Sequence, residues 1–113
     1  MHANMENLIV QIVQFVDDHQ PGWVACEFVD AGGHRHTFVD KLPIFSTEDL
    51  DATSSYPQSG VARCEVLARW RDTHGRELAH ITTARPDCIE STAGLSEFVV
   101  LSTQLRHDSR CAG

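Results

Sequence analysis

The sequence predicts an all-β chain: a small antiparallel barrel or strongly bent sheet of about six strands with one short helical turn. Three observations carry this. Short runs rich in β-branched and aromatic residues recur along the chain. Glycine-containing turns separate them at hairpin spacing. Apolar residues alternate between faces in Trp23–Asp30 and Val61–Arg71.

The first strand is Leu8–Asp17, LIVQIVQFVD, with apolar side chains on both faces. That pattern suits a central or doubly covered strand. Asp18-His19-Gln20-Pro21-Gly22 breaks it. The second strand, Trp23–Asp30, places Val24, Cys26 and Phe28 on one face and Trp23, Ala25 and Glu27 on the other. Ala31-Gly32-Gly33 closes a hairpin into a third strand, His34 to about Leu42, where Pro43 ends the ladder or marks a sheet edge. Ser46-Thr47-Glu48-Asp49-Leu50 reads as a helix start, with a hydroxyl cap and acids in the first turn. The loop chemistry of residues 51–60 limits it to a turn or two.

Val61–Arg71 alternates most regularly. Ala62, Cys64, Val66, Ala68 and Trp70 form one face, so Trp70 is expected in the core. Asp72-Thr73-His74-Gly75 is a hairpin turn, and Arg76–Thr83 is the fifth strand. Cys88–Thr92 is a short extended piece, and Ser96–Ser102 is the last strand. The domain reading is a flexible 1–7, a single β domain over 8–103 and a disordered tail over 104–113. Two hairpins resemble each other: Gly22 lies four residues before Cys26-Glu27, as Gly60 lies four before Cys64-Glu65. If they are copies, Cys26 and Cys64 occupy equivalent inward positions.

The 113 residues suffice for one core, and 42% of them are hydrophobic, so the chain is not a polar disordered segment. No apolar stretch approaches the roughly 20 residues that cross a bilayer, and the N-terminus lacks secretory-signal features. The expectation is a cytoplasmic protein without membrane attachment. Cys26, Cys64, Cys88 and Cys111, spaced 38, 24 and 23 apart, match no zinc or redox motif. Cys26 and Cys64 read as buried thiols. Cys111, in the tail, reads as exposed.

The net charge is −7, and residues 1–60 carry all of it, with nine acids against two bases. Nucleic-acid binding needs the opposite sign. A basic protein partner fits, through complementary charge. Solubility alone would also account for the charge.

Candidate chemistry is sparse. His34 and His36 share a strand face and could begin a metal site, with a third ligand from His80, Cys88 or an acid that no spacing nominates; the alternative set is His34, His36 and His80, and plain surface histidines are the competing reading. Asp17-Asp18-His19 contains the parts of a general base, but Asp is also favoured in turns for local hydrogen bonds. No G-x-S-x-G, phosphate-cradling glycine loop, His-Glu-x-x-His or EF-hand spacing is present. No catalytic residue and no cofactor is expected. Glu48, Asp49 and Asp51 read as a solvated helix cap. Tyr56, beside them, is either a contact anchor or a plug for one end of the barrel. Trp23 is expected to be partly exposed.

Phe15-Val16-Asp17 through Pro21-Gly22-Trp23-Val24-x-Cys26, with Leu50-Asp51-x-x-Ser54-x-Tyr56-Pro57-x-x-Gly60, resembles small uncharacterised bacterial proteins. The resemblance spans most of residues 8–102. It implies a bacterial source and a self-contained chain, and transfers no site. The expected function is a non-enzymatic interaction module, immunity-type or inhibitor-like. It would contact a basic protein through Asp17, Asp18, Trp23, Glu48, Asp49, Asp51 and Tyr56. The alternatives are a small-molecule or metal-binding barrel with a minor enzymatic role, and a structural homodimer pairing through strand edges.

Overall fold

Alternating residues in the extended runs above must hide one face, and the chain does so by curling a single antiparallel sheet around it. The computed structural model describes residues 4–107. The strands are β1 (Met5–Asp17), β2 (Trp23–Val29), β3 (Arg35–Lys41), β4 (Gln58–Arg71), β5 (Glu77–Thr82), β6 (Glu97–Leu101) and β7 (Leu105–His107), with a one-turn helix α1 (Leu42–Phe45) after β3. The sheet order is β3-β2-β1-β4-β5-β6, and β7 pairs with the start of β1. The all-β class with a short helical turn is therefore correct, and the form is a half-barrel.

β1 and β4 are the longest strands and pair at the centre, from Met5↔Glu65 to Ile12↔Gln58. The free edges, β3 and β6, approach across a seam. Ala31 N–H donates to Val99 O at 2.9 Å, and Thr92 N–H to Thr37 O at 2.8 Å. Ser91 forms an isolated bridge with Phe38. These contacts cover edges that would otherwise present unpaired backbone groups.

The core fills the concave side. Leu8, Val10 and Ile12 of β1 meet Val24, Cys26 and Phe28 of β2, Phe38 of β3, Ala62 and Cys64 of β4, Ala79 and Ile81 of β5, and Phe98 and Val100 of β6. Phe28, Phe38 and Phe98 pack at centroid separations of 5.1 to 5.9 Å, two of the three pairs edge-on. Edge-on geometry places a ring's positive rim on its neighbour's negative face. Cys26 and Cys64 are both fully buried, as expected of thiols used as small apolar groups. Cys111 lies outside the described residues.

Trp70 is not core. It is 40% exposed, while Val66, four residues earlier, is 8% exposed. A bulge at Leu67 is the reason: Val66 pairs with Ile81, but Ala68 pairs with His80, so one residue of β4 has no partner. An unpaired residue inverts the alternation beyond it. Trp70 thus joins Leu78 and Leu101 in a row on the convex face. A second bulge, at Val13 in β1, brings Ile12 and Phe15 to the same face opposite Cys26 and Val24.

The helix is also displaced from its expected place. It occupies Leu42–Phe45 instead of starting at Ser46, with Pro43 in its first turn. Proline's fixed φ suits that turn, where its missing N–H costs nothing. Ser46 Oγ instead accepts from Glu48 N–H at 2.9 Å, forming a bend. Glu48, Asp49 and Asp51 therefore cap no helix. The sheet extends beyond the expected 8–103 at both ends, because Met5–Asn7 pair with β4 and β7 pairs with Glu6–Leu8.

The two similar hairpins share their turns but not their strands' places. Gly22 has φ +92° in the turn before β2, whereas Gly60 lies inside β4 opposite Val10. The turns Asp30–His34 and Asp72–Arg76 do match. In each, the Asp Oδ1 accepts the N–H groups two and four residues on at 2.9 Å, and the glycine has positive φ.

Candidate functional site

Strand direction sorts the charged residues to two ends. β1 ends, β2 begins, β3 ends and β4 begins at one end, so the turn 18–22 and the stretch 42–57 lie there. Leu42 N–H ties them together through Gly22 O at 2.8 Å. Residues 17–22 and 40–57 hold six acids and one base. Asp17, Asp18, Glu48, Asp49 and Asp51 are exposed, and Trp23 is half-buried.

Local hydrogen bonds keep two of these acids ionised. Asp17 Oδ1 accepts from His19 N–H at 2.9 Å and lies 2.5 Å from His19 Nδ1. These bonds, the backbone one foremost, hold Asp17 below the usual carboxylate range, and the Asp17 side chain raises His19. Asp51 Oδ1 accepts the Thr53 hydroxyl at 2.6 Å and the Thr53 N–H at 2.9 Å, which lowers it too. Asp17, Asp18 and His19 also bring potential metal-ligand atoms within 4.8 Å of one another. All three are exposed, and His19 Nδ1 already bonds to Asp17. Among the described residues no hydroxyl or thiol bonds to His19, so the parts of a general base lack a group to activate.

Tyr56 packs against the core, and its hydroxyl donates to Asp51 O at 2.7 Å. It therefore plugs this end and fixes the acidic loop. Beside the loop, a groove of about 480 Å³ runs between Pro43–Glu48 and Ser59–Val61. Asn7 lines it and carries a buried side-chain oxygen without a hydrogen-bond partner.

The histidines separate. His36 is paired with Phe28 and lies on the core side, its ring 5.2 Å from Phe28 and 4.7 Å from Phe98. Its Nε2 lies 2.8 Å from Asp30 Oδ2. His34 Nδ1 is 3.5 Å from Asp30 Oδ1. His80 pairs with Ala68 and Val99 on the convex face and binds Glu97 at 2.8 Å. The three histidines thus line no common cavity, because His36 and His80 point to opposite faces of the sheet.

Sequence reasoning missed Asp30, Asn7 and Arg76. The repeated Asp-x-x-Gly of residues 30–33 and 72–75 was the available signal for Asp30. Cys26 is inert by burial, which pushes its thiol up to about 12. Cys88 is exposed, at φ +59°. No helix among the described residues is long and apolar enough to cross a membrane. No family model, curated protein or solved structure matches this chain.

Proposed function

We propose that the chain is a non-enzymatic interaction module that docks a basic protein on its acidic end, in the manner of an immunity or inhibitor protein. The observation that carries this is the gathering of six acids against one base at one end of the half-barrel. Tyr56 and the Asp51 turn hold part of that surface in place before any partner arrives, which lowers the ordering cost of binding. The adjoining groove supports the reading, since Ile44 and Val61 offer an apolar wall to a lysine stem and Glu48 a carboxylate to its ammonium.

The test is affinity capture from a bacterial lysate at low and high salt, with the wild type and a variant carrying D17N, D18N, E48Q, D49N and D51N. The expected result is a basic protein held at low salt, released by salt and lost by the variant. Equal recovery by both proteins would refute the reading.

A further inference from the structure

β4 is 14 residues long, and its two neighbours divide it. β1 pairs with Gln58–Glu65 on one side, and β5 with Glu65–Arg71 on the other. Past Thr82 the chain leaves β4, since Thr83 N–H donates to Ser96 O at 2.8 Å. Among the described residues, no strand pairs with Ser59–Val61 on the β5 side.

Strand alternation decides which backbone groups face that side. Val66 N–H donates to Asn4 O at 2.8 Å, so the even-numbered residues of this stretch turn their N–H and C=O toward β1. The odd-numbered residues turn theirs away. Ser59 and Val61 therefore aim two N–H and two C=O groups toward the groove beside Pro43–Glu48. None of the four has a hydrogen-bond partner among the described residues. Ser59 is exposed and Val61 half-buried, so another chain can reach them. An unpaired edge of this kind is a template for an added strand.

We infer that the groove admits an extended basic segment of the partner, which adds a strand to β4 at Ser59–Val61 in line with β5. The charge of this occupant rests on the acidic-end reading. Among the described residues, Glu48 is the one charged side chain lining the groove, and residues 40–57 around it hold four acids against Lys41. Lysines at alternate positions of the segment complement that charge. A second copy of this chain does not, because pairing two such edges brings their Glu48 carboxylates together.

The probe is the acetylated, amidated pentapeptide Lys-Val-Lys-Val-Lys, read by amide hydrogen exchange of the full chain. In the free protein Ser59 and Val61 should exchange at least about tenfold faster than Gly60 and Ala62, which bond to β1. The peptide should slow Ser59 and Val61 saturably, with a dissociation constant on the order of 100 µM. The same peptide methylated on every backbone nitrogen keeps its charge and loses its donors, so it should bind at least about tenfold more weakly. Glu48→Lys should weaken the parent peptide about tenfold and leave exchange in the free protein unchanged. Slow exchange of Ser59 and Val61 in the free protein, peptide binding that leaves them unprotected, or equal binding of the methylated peptide would overturn strand addition. Equal binding of Glu-Val-Glu-Val-Glu would overturn the basic occupant. So would protection that appears on concentrating the protein alone, which marks a second copy. Capture of a basic protein that leaves both amides unprotected would refute strand addition and leave the acidic-end reading standing. Capture unchanged by the five-acid variant, with both amides still protected by the peptide, would refute the acidic-end reading alone.

Discussion

Lysine placed at Val66 or at Trp70 separates strict alternation from the observed sheet. Strict alternation puts both residues in the core, so both substitutions should unfold the chain. The bulge at Leu67 puts them on opposite faces. At Val66, 8% exposed, an ammonium would be stranded in the core. Burial lowers a lysine pKa by up to about 3–5 units, or about 4–7 kcal/mol, before the lost valine packing is counted. That approaches the roughly 5–15 kcal/mol total stability of a small domain. Trp70 is already 40% exposed, and a lysine stem can lie over Leu78 with its head in water. Its replacement forfeits part of an indole's burial, roughly 1–2 kcal/mol, with no sealed cavity left behind. Urea denaturation followed by circular dichroism reads both. With m of about 1–1.5 kcal/mol/M, Trp70→Lys should lower the midpoint by about 1 M, whereas Val66→Lys should be largely unfolded without urea. Equal damage at the two positions would sink the reasoning, and so would a tolerated Val66→Lys.

Other expectations follow from single contacts. Gly60→Ala should cost about 1–3 kcal/mol in a thermal melt, because its Cβ would lie 3.0 Å from Ile12 and from the Phe45 carbonyl. Gly33→Ala meets no atom within 4 Å, so its penalty should be only the backbone strain of φ +85°, about 1 kcal/mol. In native protein a thiol reagent should label Cys88 fast and leave Cys26 and Cys64 unmodified until denaturant is added. Burial pushes Asp30 up, but the His36 side chain and the backbone N–H groups of His34 and Gly32 together outweigh it and hold Asp30 below its ordinary pKa. Its stabilisation is therefore complete above the unfolded carboxylate pKa of about 3.9 and is lost as pH falls through the lower folded value. Asp30→Asn should flatten that acid limb in pH-dependent melts; an unchanged limb would remove Asp30 from it.

Much of the candidate site's material was legible along the chain and its grouping was not. The acids of residues 17–51 are visible as a run of composition, and Asp-x-x-Gly announces each tight turn through local hydrogen bonds. Tyr56 could be named as anchor or plug, but only its contact with Asp51 O made it the plug. His34, His36 and His80 looked like one ligand set because sequence spacing carries no record of which face a later strand presents. Asp30, adjacent to that set, looked like an ordinary strand end.

By itself the sequence determined the all-β class, the hairpin turns, the burial of Cys26 and Cys64 and the acidic bias of one half. Each of these depends on local φ/ψ preference or on side-chain type, which neighbours along the chain largely settle. Only the tertiary structure decided that the sheet stops at a half-barrel, that Trp70 faces outward, that the helical turn sits at Leu42–Phe45, and that His36 meets Asp30 and Phe98 at a seam. Those outcomes turn on one unpaired residue in a strand and on contacts between β3 and β6. A single-residue shift in register reverses every side chain beyond it, and no local preference in β4 announces where that shift falls.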